Sequence, residues 1–127
     1  MAAKKILLVD DNGHLRSMLT MLLTDEGYEV VGVPEGSETM LWVHEHSFDL
    51  IVLDIMMPLL DGYTVLRYIR NTARNGGTPV IIISACGQEE DIRRAYDLGA
   101  NAYLTKPFET EALLESVREY IGSSSSI

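Results

Sequence analysis

Residues 6–12 read Ile6-Leu7-Leu8-Val9-Asp10-Asp11-Asn12: four apolar side chains without alternation, then three polar ones. A strand reads as an unbroken apolar run when both of its faces are covered, as in a parallel sheet between helix layers. Val80-Ile81-Ile82-Ile83 has the same character and also ends on a polar residue, Ser84. Working outward, Tyr28–Val33, Leu50–Leu53 and Ala102–Leu104 complete five short apolar runs.

The segments between them have helical period. Leu15, Met18, Leu19, Leu22 and Leu23 form one apolar stripe, with Gly27 placed to stop the helix. Val65, Leu66 and Ile69 form another after Asp61-Gly62, and Leu113, Val117, Tyr120 and Ile121 a third. Ser37 to His46 and the polar stretch Glu89 to Leu98 supply the remaining two helices. Strand-helix alternation repeated five times predicts a three-layer α/β fold with a parallel sheet. Right-handed crossovers and five strands favour the flavodoxin-like order 2-1-3-4-5.

The chain of 127 residues fits one domain, expected over residues 1–121, with Gly122 to Ile127 as a flexible tail or the start of a linker. A net charge of −9 argues against direct nucleic-acid binding, which needs clustered Lys and Arg. No apolar run approaches the ~18 residues of a membrane span. The lone Cys86 suits a reducing compartment, so a soluble, cytoplasmic protein is expected.

Sheets of this kind place their sites beyond the carboxyl ends of the strands, where the strand order reverses. Those ends carry Asp10 and Asp11, Asp54, Ser84 and Lys106. Three carboxylates against one lysine leave an uncompensated charge; two like charges ~4 Å apart repel by roughly 4 kcal/mol at a dielectric of 20. Either carboxylates protonate or a divalent cation binds, and hard oxygen donors without His or Cys favour Mg2+.

Four blocks then resemble the receiver family of two-component signalling. They are Ile6 to Asn12, Asp49 to Pro58 with Asp61-Gly62, Val80 to Ala85, and Gly99 to Phe108. The resemblance implies that Asp54 takes a phosphoryl group from the phosphohistidine of a sensor histidine kinase or phosphotransfer protein. It implies Mg2+ held by Asp11, Asp54 and the Met56 backbone carbonyl, with Asp10 acting through water. Lys106 and Ser84 would hold phosphoryl oxygens. Ser84 and Tyr103 would switch the face made by the fourth helix, fifth strand and fifth helix toward a downstream partner or effector domain, and homodimerisation through that face is an open option. Lys106-Pro107 is expected to be a cis peptide. Met56, two residues past Asp54, cannot orient an attacking water, so slow self-dephosphorylation is expected.

Other readings weigh less. Asp10 or Asp11 could merely cap the first helix. A haloacid-dehalogenase-like phosphatase would need a second Asp where Met56 stands, and a flavin carrier would need a Ser/Thr/Gly-rich loop after the first strand. Self-catalysed phosphotransfer within a signalling module, rather than a turnover enzyme, is the expectation.

Overall fold

The computed structural model describes residues 3–57 and 60–121, so the expected tail at 122–127 lies outside the described residues. Five strands, β1 (Lys5–Val9), β2 (Glu29–Val33), β3 (Leu50–Asp54), β4 (Val80–Ser84) and β5 (Ala102–Thr105), alternate with five helices. The helices are α1 (Gly13–Asp25), α2 (Gly36–Glu45), α3 (Gly62–Arg70), α4 (Glu89–Asp97) and α5 (Thr110–Ile121). All neighbouring strands pair in parallel in the order β2-β1-β3-β4-β5, as expected.

Alternate residues of each central strand enter opposite cores. Leu7, Val9, Ile51 and Leu53 join side chains of α2, α3 and α4 on one face. Ile6, Leu8, Leu50 and Val52 join Leu19 and Leu23 of α1 and Leu113, Leu114 and Val117 of α5 on the other. The unbroken apolar runs therefore mark strands covered twice, and each such side chain contributes about 1.5–3 kcal/mol by leaving water.

Local chemistry sets the helix ends. Asn12, rather than either preceding Asp, caps α1 by accepting the Leu15 N–H at 3.1 Å. The two acids are thus free of that structural duty. Asp61 caps α3 through the Thr64 N–H at 3.0 Å. Gly27 turns the chain out of α1 with φ 98°, a region that costs other residues strain. Gly62 serves a different need: a Cβ there would lie 2.5 Å from Ile55 Cα and 2.7 Å from the Asp54 carbonyl oxygen. Only glycine lets α3 start so close to the end of β3, which fixes the backbone behind Asp54.

Candidate functional site

The carboxyl edge of the sheet brings together Asp10, Asp11, Asp54 and Lys106. One carboxylate oxygen from each of the three acids lies within 4.8 Å of the others, with Asp10 and Asp54 buried and Asp11 exposed. The Lys106 ammonium bridges the two buried acids, 2.9 Å from Asp10 Oδ2 and 3.2 Å from Asp54 Oδ2. It arrives there from the loop after β5, and the Lys106-Pro107 peptide is cis, as expected. Asp54 is the last residue of β3 rather than the first of the loop. Its Oδ1 accepts the Met56 N–H at 2.9 Å. Asp10 Oδ1 accepts the Asn12 N–H at 2.8 Å.

Electrostatics distinguish these groups. Burial raises the Asp54 carboxyl above its ordinary range, against the opposing pull of the Met56 N–H and of Lys106, while the Asp10 charge pushes it further up. Burial also works against charge on Lys106, but the hydrogen bond to Asp10 and the charges of Asp54 and Asp10 outweigh it and raise the ammonium. Lysine therefore stays charged, and the negative charge remains only partly answered. A cluster of hard oxygen donors with surplus negative charge and one exposed member is the donor set a Mg2+ ion takes. The residues present fit that ion.

Ser84 closes β4, fully buried, and its Oγ accepts the Cys86 N–H at 3.0 Å. The Cys86 carbonyl in turn accepts the hydroxyl of Tyr103, whose ring packs against the core and is half-buried. Ser84 and Tyr103 are thus joined through one residue of the β4–α4 loop. Burial raises the Tyr103 hydroxyl above its usual value, so it remains a donor. The Met56 side chain is exposed and its sulfur meets Cys86 Sγ, while Met57 turns into the core. Neither the Cys86 link nor the contact of Arg16 with the Asp10 carbonyl was singled out by sequence reasoning. The expected residues stand at strand ends, which topology exposes; these two act through backbone groups, which leave no sequence signal. His14 is exposed, as are His44 and His46 on the far side.

Comparison with known proteins agrees with this geometry. The family model for the response regulator receiver domain matches residues 6–118. Among solved structures, the chemotaxis protein CheY4 of Vibrio cholerae superposes with a TM-score of 0.89 at 30% identity, covering 94% of this chain and 99% of that one. The receiver domain of the sensor histidine kinase PA1611 of Pseudomonas aeruginosa, described with a magnesium ion coordinated in its active-site cleft, gives 0.87 at 32%, covering 96% and 100%. The DNA-binding dual master transcriptional regulator RpaA of Synechocystis is 36% identical over 114 residues, 90% of this chain and 47% of that protein. The chain spans about half the length of the curated relatives it matches. Since one of them is described as DNA-binding, the expectation of no nucleic-acid contact finds no support beyond the acidity of this segment. No helix among the described residues is long and apolar enough to cross a membrane.

Proposed function

The chain belongs to the response regulator receiver family, and from that premise we propose that Asp54 is its phosphoacceptor and that residues 1–121 form the receiver domain of a two-component signalling protein. The observation that carries this reading is the Lys106 ammonium bridging Asp10 and Asp54 within a three-carboxylate cluster.

An Asp54 carboxylate oxygen attacks the phosphorus of a kinase or phosphotransfer-protein phosphohistidine. The O–P bond forms as the P–N bond breaks, and the imidazole keeps the electron pair and takes a proton. Such transfers depend on positioning and charge neutralisation more than on covalent participation by other groups. Asp11, Asp54 and the Met56 carbonyl would hold Mg2+ directly, with Asp10 through water. Bound Mg2+ neutralises charge on the phosphoryl oxygens. Lys106, already poised between the acids, would pair with one phosphoryl oxygen and the Ser84 hydroxyl with another.

Drawing Ser84 toward the phosphoryl group strains or breaks its bond from the Cys86 N–H, and Cys86 also anchors Tyr103. That route would carry the change to the face of α4, β5 and α5, as a population shift between two states. The output is contact with a downstream protein or an effector domain on the same chain, the latter in keeping with the greater length of its relatives. The protein is a switch with self-catalysed transfer, working in the cytoplasm, rather than a turnover enzyme.

The test adds Mg2+ with beryllium fluoride, a phosphoryl mimic, and follows amide and side-chain resonances. Changes centred on Asp54 and reaching Tyr103 are expected in the wild type and absent in Asp54→Asn. Equal responses in the two proteins would remove Asp54 from the role.

A further inference from the structure

We propose that Arg16 is a positioning residue for the metal-binding acids, holding the Asp10–Asp11 turn by the main-chain carbonyl of Asp10. This rests on the Mg2+ reading of the pocket given above. The Asp10 N–H still follows the sheet ladder, donating to the Val33 carbonyl at 3.1 Å. Its carbonyl lies past the last residue of β1 and accepts Arg16 Nη1 at 2.7 Å. A charged donor makes this bond about twice as strong as a neutral one. That carbonyl belongs to the peptide plane that leads into Asp11. With the Asn12 N–H tied to Asp10 Oδ1, the turn carrying both acids is pinned at its carbonyl, its side chain and its exit.

The route Arg16 takes is built into the neighbouring strand. Its methylenes cross β2 at Gly32, where an added Cβ would lie 3.4 Å from both Arg16 Cγ and Cδ. Gly32 is not among the glycines with positive φ, so the backbone does not demand glycine there. Glycine inside a strand is unfavourable and often marks a close approach by another group; here that group is the Arg16 stem. Arg16, half-buried as a residue, is thereby held with its Nη1 on the Asp10 carbonyl at the end of β1.

Position and charge predict opposite signs, which makes the inference testable. Arg16 is a cation near a cation site. If charge alone mattered, Arg16→Ala would bind Mg2+ more tightly. If Arg16 positions the acids, Arg16→Ala binds Mg2+ more weakly, by about tenfold, the lower end of the range for groups that orient metal ligands. Arg16→Lys, which keeps a donor able to reach the carbonyl, recovers much of the loss. Gly32→Val keeps the charge but crowds the stem and weakens binding, whereas Gly32→Ala, in ordinary contact, leaves it unchanged.

The measurement is calorimetric titration of each folded variant with MgCl2, with circular dichroism first establishing that it is folded. If Arg16→Ala does not fold, Gly32→Val against Gly32→Ala decides the matter. Arg16→Ala or Gly32→Val binding Mg2+ as tightly as the wild type, or more tightly, overturns the inference. A wild type that binds no Mg2+ instead overturns the pocket reading on which it rests.

Discussion

At the amino edge of the sheet, polar side chains close on backbone groups; at the carboxyl edge, two buried acids and an exposed one keep negative charge to spare. Asn75, fully buried beneath β3 and β4, accepts the Phe48 N–H and the Thr78 hydroxyl and donates to the Val43 and His46 carbonyls. Arg70 donates to the carbonyls of Gly99, Thr78 and Gly76 and to Asn101 Oδ1, which also accepts the Val80 N–H. Asp49 accepts the Lys5 N–H at 2.7 Å. These bonds bind strand entrances and helix exits together. At the other edge, one ammonium answers two of three clustered acids, Asp10 and Asp54. One edge is closed by its own hydrogen bonds, the other keeps surplus negative charge.

The largest effect should come from the first edge. Asn75→Ala removes four hydrogen bonds and leaves buried backbone groups such as the Phe48 N–H without partners. It should lower stability by about 3 kcal/mol in urea unfolding, with the beryllium fluoride response retained wherever the protein is folded. Arg70→Met should cost about 2 kcal/mol, since bonds from a charged donor are lost but the apolar stem can stay packed. At the second edge the sign reverses. Because burial and Asp10 hold the Asp54 carboxyl above its usual range, its charged form opposes folding at neutral pH. Asp54→Asn should therefore raise stability in the same assay, by less than either loss at the first edge. A loss of stability would erase the contrast between the edges.

The smallest effect concerns lifetime. Met56 offers no group to hold a water, so phosphoprotein should persist well beyond seconds without a phosphatase. Met56→Gln, which can orient water, should speed label loss a few-fold, under about 1 kcal/mol in barrier. Loss within seconds in the wild type contradicts this.

The two edges were unequally legible in the sequence. The strands showed as apolar runs because both faces are buried, and Asp10, Asp11, Asp54, Ser84 and Lys106 stood out because parallel topology turns every strand end to one side. Asp54 falls inside β3 since its backbone continues the ladder beside Ile83, a feature its side-chain type conceals. The amino-edge residues were not legible: Asn75-Gly76-Gly77 reads as an ordinary turn, and nothing in Arg70 itself announces three backbone carbonyls within reach. Likewise Glu35, a poor cap by propensity, caps α2 through the Glu38 N–H because the loop presents it there. Contacts made to backbone atoms depend on where the chain has already been led, so residue type alone does not encode them.

The most direct measurement is mass spectrometry of the intact protein after incubation with acetyl phosphate and Mg2+, followed by peptide mapping. The expected result is one added phosphoryl group, on the peptide containing Asp54, lost in Asp54→Asn and absent when Mg2+ is withheld. Modification at another residue, or equal modification without Mg2+, would contradict a carboxyl edge built for metal-assisted phosphoryl transfer.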